Sequence, residues 1–161
     1  MADACGKSGF WTGKAAIIGV GLIGGSIGKA LLARGLCREA VGLFRRQATM
    51  DKALAHGLVS RGTMSMKDAV SGAGLVILAT GVASIPAMAE AAAPFLAENA
   101  LVIDAGSVKR VVVEKVCRAL SDRPDVLFAG SHPLYGSHLQ GPEAGAQADP
   151  AGRLALVTPA E

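Results

Sequence analysis

The sequence predicts an α/β fold of the Rossmann type: a doubly wound, mainly parallel sheet with helices on both faces. Three observations predict it. Short apolar runs alternate with helix-like segments along the chain, the βαβα pattern of a parallel sheet. Several runs, such as Leu75-Val76-Ile77-Leu78-Ala79, are apolar at consecutive positions, which suits strands covered on both faces. And Gly19-Val20-Gly21-Leu22-Ile23-Gly24, a G-x-G-x-x-G pattern, stands between the first apolar run and the first helical one.

The elements follow in order. Residues 1–13 are small and polar and read as a loose leader, and 14–161 as one domain. Strands are expected over Ala15–Gly19, Ala40–Phe44, Leu58–Ser60, Leu75–Ala79, Leu101–Asp104, Val126–Ala129 and Leu154–Val157. Helices are expected between them. Leu22–Arg34 and Ala48–His56 each run into a glycine, Gly35 and Gly57, suited to a left-handed C-cap. Ser65-Met66-Lys67-Asp68 resembles a capping box with Asp in place of Glu. Ala83–Ala97 is rich in alanine, with Pro86 and Pro94 shaping it, and Val108–Leu120 completes the set. The stretch from Gly130 to Gly152 reads as a long loop carrying at most a short helix. Loops of that length in compact domains are usually functional or disordered.

Composition narrows the function. The chain has 161 residues, the size of one domain, and 51% hydrophobic against 18% charged residues excludes a disordered chain. The 21 glycines show no G-X-Y period, so their excess belongs to loops where backbone bends or a ligand approaches. A net charge of +3 is too mild to imply nucleic acid. Cys5, Cys37 and Cys117 form no CxxC pair, which argues against a disulfide framework or a metal site and for a reducing, cytoplasmic setting. No signal peptide is visible. Residues 69–89 carry no charge, but Gly72, Gly74, Gly81 and Pro86 interrupt them, and no membrane span is expected.

The glycine pattern carries the first chemistry. Gly19 would permit the tight turn, Gly21 would let a pyrophosphate approach the backbone, and Gly24 would let helix and strand pack closely. The N–H groups of Leu22, Ile23 and Gly24, at a helix N-terminus, would face the phosphates. Thr80, just past the strand over 75–79, is included as a further cofactor contact. A ribose-binding acid is expected about 20 residues beyond Gly24. The sequence there reads Leu43-Phe44-Arg45-Arg46-Gln47-Ala48-Thr49, with no acid. A carboxylate would repel a 2′-phosphate, whereas guanidiniums would bind it. Arg45 and Arg46 therefore favour NADP over NAD. Thr49 adds a hydroxyl contact or serves as a helix N-cap.

Two more segments fall at the C-terminal ends of strands, where such sheets bind ligands. They are Asp104-Ala105-Gly106-Ser107-Val108-Lys109 and Gly130-Ser131-His132-Pro133-Leu134-Tyr135-Gly136-Ser137. A hydroxyl and a histidine on neighbouring loops could share a substrate proton.

With these residues in view, the chain resembles the N-terminal domain of prephenate/arogenate dehydrogenases. Four pieces carry the resemblance: GVGLIGGSIG at 19–28, LFRRQATMDKA at 43–53, DAGSVK at 104–109 and GSHPLYGS at 130–137. It extends from about residue 14 to Pro159. The chain departs from the family pattern at Ala105, at Leu134-Tyr135 and at His138.

The resemblance implies oxidative decarboxylation in tyrosine biosynthesis. A ring hydroxyl loses its proton, hydride passes to the nicotinamide, and CO2 leaves as the ring becomes aromatic. It implies that His132 takes the hydroxyl proton, that Ser107 orients His132 or the hydroxyl, and that Lys109 assists electrostatically. Two alternatives remain on the residues alone: Ser107 as the N-cap of the following helix, and Lys109 as a solvated first-turn lysine. The small-molecule substrate is prephenate or arogenate, and the choice stays open. In the family a helical dimerisation domain follows. Nothing in these residues replaces it, so a homodimer or a separate partner carrying that part is expected. Two other readings stay open: a different reductase of the 3-hydroxyacid-dehydrogenase-like group, and a module that binds NADP without catalysis.

Overall fold

In the computed structural model, which describes residues 12–136 and 141–159, strands and helices alternate. The order is β1 (Thr12–Ile18), α1 (Leu22–Ala33), β2 (Cys37–Leu43), α2 (Gln47–Ala55), β3 (Arg61–Thr63), α3 (Met66–Val70) and β4 (Leu75–Leu78). It continues with α4 (Ile85–Ala92), β5 (Leu101–Asp104), α5 (Arg110–Ala119), β6 (Leu127–Pro133), α6 (Gly141–Gln147) and β7 (Ala155–Pro159). The seven strands form one sheet, ordered β3-β2-β1-β4-β5-β6-β7. Strands β1 to β6 are parallel, and β7 runs antiparallel along β6. The strand order reverses between β1 and β4, and a crevice at such a switch point is where doubly wound sheets take their ligands.

Consecutive apolar residues divide between two cores because side chains alternate across a strand. Ala15, Ile17, Leu75 and Ile77 face the layer of Leu31, Ala53 and Leu58. Ala16, Ile18, Val76, Leu78 and Val102 face Ala69, Val70, Ile85, Ala89, Val112 and Val116. All four β4 residues are buried, which explains why the run reads as unbroken. Among the described residues, no helix is long and apolar enough to cross a membrane.

Several expected boundaries move. The leader expected over 1–13 gives way at Thr12, which is buried and opens β1; the rest of it lies outside the described residues. The third strand forms at Arg61–Thr63 rather than Leu58–Ser60. Leu58 and Val59 are buried at 0% and 2% exposure, but they plug the core before the strand begins. A Cβ on Gly28 would lie 2.4 Å from the Leu58 carbonyl oxygen and one on Gly25 2.9 Å from its side chain, so these glycines of α1 admit the plug. The helix expected over Ala83–Ala97 is broken into a 3-10 turn at Val82–Ser84, α4, and a second 3-10 turn at Ala93–Phe95. Pro86 sits in the first turn of α4, where its missing N–H costs nothing. Pro94 lies in the second 3-10 turn, where an α-helix would need its absent donor.

The helix expected from Val108 starts at Arg110, with Lys109 as its N-cap residue. The long loop expected from Gly130 is partly regular: β6 continues to Pro133, and α6 and β7 follow. α6 packs on α1, where a Cβ on Gly145 would lie 2.6 Å from the Gly21 carbonyl oxygen. Lys29 Nζ donates to the Ala146 carbonyl (2.8 Å), and Lys52 on α2 pairs with Glu143 (2.7 Å).

Candidate functional site

The turn from β1 to α1 depends on its glycines. Gly19 has φ +102°, which L side chains rarely adopt, and a Cβ there would lie 2.6 Å from the Ala79 carbonyl oxygen. Gly24 packs the helix on the strand: its Cβ would fall 2.2 Å from the Gly19 carbonyl oxygen. Gly21 differs from both. A Cβ there would meet nothing within 4 Å among the described residues, which leaves room above it. Gly21 is the N-cap residue of α1, no side chain caps the helix, and no acid stands in its first turn. The first helical bond runs from Gly25 N–H to the Gly21 carbonyl (2.9 Å). The N–H groups of Leu22, Ile23 and Gly24 precede that bond and carry the positive end of the helix dipole.

Across the switch point, Thr80 follows β4. Its Oγ1 is buried and, among the described residues, has no hydrogen-bond partner. An orphaned buried hydroxyl is uncommon because it forfeits its bond to water. The room over Gly21 and the unpartnered Thr80 hydroxyl together fit a dinucleotide laid across the ends of β1 and β4. Arg45 and Arg46 lie just beyond β2, both exposed, and among the described residues neither guanidinium has an ion-pair partner. Arg46 is the N-cap residue of α2, and its carbonyl accepts from Thr49 and Met50 N–H groups (both 3.2 Å). Thr49 is the third residue of that helix, not its cap.

The second cluster joins the ends of β5 and β6. Asp104, the last residue of β5, is fully buried. Its Oδ2 accepts from the Gly106 N–H (2.8 Å) and from Lys109 Nζ, and its Oδ1 accepts from the Ser131 N–H (3.0 Å). The Ser131 hydroxyl donates to the Asp104 carbonyl, and Lys109 Nζ also donates to the Ser131 carbonyl. Lys109 is therefore not a solvated lysine; its side chain is 17% exposed. Ser107 is exposed on the loop before α5 and does not cap it. Ser131-His132-Pro133 sit on strand β6 rather than on a loop after it. His132 is half-buried and pairs in register with Leu156 of β7. His138 lies outside the described residues.

A cleft of about 500 Å³ opens between the start of α1, the segment after β6 and α6 with the residues that follow it, lined among others by Leu22, Leu134, Tyr135, Ala144, Asp149 and Arg153. Tyr135 OH lies 3.1 Å from Ser26 Oγ, which itself donates to the Ile23 carbonyl (2.9 Å). Burial raises the Tyr135 phenol above its ordinary range, and the Ser26 bond opposes part of the rise. Among the described residues, no group of three or more His, Cys, Asp or Glu is placed to hold a metal ion.

The structure thus gathers Gly19, Gly21, Leu22, Ile23, Gly24 and Thr80 at one switch point, and Lys109 and His132 at the ends of β5 and β6. Sequence reasoning missed Asp104, Ser131, Ser26 and Tyr135 as members of the site. For Asp104 a signal was present: an acid ending an apolar strand, five residues before a lysine. Nothing local marked Ser26 as the partner of Tyr135, because 109 residues separate them.

Residues 27–161 match the family model described as prephenate dehydrogenase, nucleotide-binding domain. Over 133 residues the chain is 38% identical to a cyclohexadienyl dehydrogenase of Zymomonas mobilis, covering 81% of this chain and 43% of that protein. Synechocystis arogenate dehydrogenase superposes with a TM-score of 0.81 at 29% identity, over 92% of this chain and 50% of that one. Prephenate dehydrogenase from A. aeolicus, solved with hydroxyphenyl propionate and NAD+, superposes with a TM-score of 0.77 at 28% identity, over 96% of this chain and 52% of that one. The chain spans about half the length of these relatives, or less. It belongs to the family of the prephenate dehydrogenase nucleotide-binding domain.

Proposed function

We propose that the chain is the NADP-binding part of a dehydrogenase that oxidatively decarboxylates prephenate or arogenate on the route to tyrosine. One observation carries this reading. The parallel strands end at one edge of the sheet, so the open glycine turn after β1 and His132 near the end of β6 share that edge. Bound at the glycine turn, NADP would supply the acceptor for the hydride of the substrate ring.

The chain's residues do the rest. The free N–H groups of Leu22, Ile23 and Gly24 hold the pyrophosphate, and the Thr80 hydroxyl gains a partner. Arg45 and Arg46 bind the 2′-phosphate, with Thr49 beside them. NAD lacks that phosphate and gains nothing from the two guanidiniums. His132 takes the proton of the ring hydroxyl and returns it to the same oxygen as the phenol forms. Ser107 orients the hydroxyl, and Lys109, held by Asp104, assists electrostatically beside the strand that carries His132. A second copy or a separate helical partner completes the substrate pocket. The reducing setting implied by the sparse cysteines of the sequence is the cytoplasm.

The test is turnover of the purified chain with NADP or NAD, offering prephenate and arogenate separately, with cofactor binding measured in parallel. Reduction of NADP with one substrate supports the reading and names that substrate. NADP binding without turnover assigns the chain as a cofactor-binding half. Failure to bind either cofactor overturns the proposal.

A further inference from the structure

The regular pairing of β5 with β6 ends at Ile103 and Ala129, yet β6 continues to Pro133. Two residues past the last pair, the backbone of Ser131 still has partners on that side. They are side chains. Asp104 Oδ1 accepts from its N–H (3.0 Å), and Lys109 Nζ donates to its carbonyl. The acceptor and donor that a longer β5 would have offered from its backbone are thus supplied by a carboxylate and an ammonium, which also pair with each other. Gly106 N–H (2.8 Å) and the Ser131 hydroxyl close the arrangement.

We propose that Asp104 and Lys109 form an ionic clamp that extends the β5–β6 ladder by one rung and so fixes the strand at His132. Both are positioning residues that act through Ser131. The clamp needs both charges. An exposed pair would contribute little, but Asp104 is fully buried and the removal of one partner leaves an uncompensated charge inside. Only a cation of suitable length can neutralise Asp104 while reaching the Ser131 carbonyl. The importance of His132 rests on the function proposed above; the clamp itself does not.

The test is amide hydrogen exchange and histidine ring spectra by NMR on the 161-residue chain. The variants are Asp104→Asn with Lys109→Met, which removes both charges together, and Lys109→Arg, which keeps the cation. In the double variant the Ser131 and His132 amides should exchange about tenfold faster or more, with Ile17 and Ile77 unchanged. The His132 ring signals should move toward those of exposed His56, which stay in place. Lys109→Arg should retain both protection and ring signals. Unchanged Ser131 exchange and His132 signals in the folded double variant would overturn the proposal. So would a loss that extends to Ile17 and Ile77, because that marks general destabilisation. If the double variant does not fold, Lys109→Gln, which removes the cation and leaves Asp104 in place, decides: a few-fold faster exchange confined to residues 131 and 132 supports the clamp, and none overturns it. NADP affinity of the unaltered chain is measured alongside, so failure of the cofactor reading is seen separately.

Discussion

The phenol oxygen of Tyr135 lies 3.1 Å from the Ser26 hydroxyl, and this contact ties the segment after β6 to the first turns of α1. It brings the wall of the 500 Å³ cleft against the helix whose N-terminus faces the glycine turn. Tyr135→Phe should cost about 1 kcal/mol of stability, the usual net worth of one such bond, read by denaturant unfolding. The pH dependence has a definite sign. The phenol is raised in the folded chain, so the unfolded chain ionises first. Its contribution is complete below about pH 10 and is lost as pH rises through the folded value. Tyr135 is the chain's one tyrosine, so phenolate absorbance reports it alone. The alkaline loss of stability assigned to this phenol should disappear in Tyr135→Phe.

Gly21 and Gly24 separate ligand space from packing space. Gly21→Ala should fold with unchanged stability, since its φ is −109° and its Cβ meets nothing. The methyl should still lower NADP affinity by about tenfold or more, because it occupies the approach of the phosphates. Gly24→Ala should unfold the chain or destabilise it by several kcal/mol, because backbone lies 2.2 Å from the new atom. Thermal melts and cofactor titrations of the two variants check this.

Thr80→Val tests whether the orphaned hydroxyl is reserved for a ligand. Removing an unsatisfied buried polar atom should leave stability equal or raise it by about 1 kcal/mol. NADP affinity should fall by about tenfold, the worth of one good hydrogen bond. Unchanged affinity in calorimetric titration would remove Thr80 from the cofactor site.

Arg45→Ala with Arg46→Ala should weaken NADP binding by about ten- to hundredfold while leaving NAD binding within about twofold. Both residues are exposed, so the lost part should also shrink as salt is added to the unaltered chain. Equal losses for the two nucleotides would refute the 2′-phosphate assignment.

Much of the fold was legible because hydrophobic periodicity and chain punctuation are local properties. The buried Leu75–Leu78 strand and the glycine ends of α1 and α2 follow from neighbouring residues alone. So does the glycine turn: the positive φ of Gly19 and the tight packing of Gly24 are demands that the pattern states directly. Leu58-Val59 was misleading because an apolar pair that fills a core and one that begins a strand look the same in sequence. The ends of β6 and α5 were illegible for a related reason. Asp104 and Lys109 let β6 run past its neighbour, and that depends on where two side chains meet across 22 to 27 residues.

By itself, then, the sequence determined the order of strands and helices, the glycine turn after β1 and the absence of an acid after β2. Each of these is written in a few consecutive residues. Only the tertiary structure decided that Lys109 is bound to Asp104 and Ser131, that Tyr135 meets Ser26, and that Thr80 is left without a partner among the described residues. Hydrogen bonds depend on distance and direction between groups far apart in the chain, and those are set only when the sheet has formed and the helices have packed upon it.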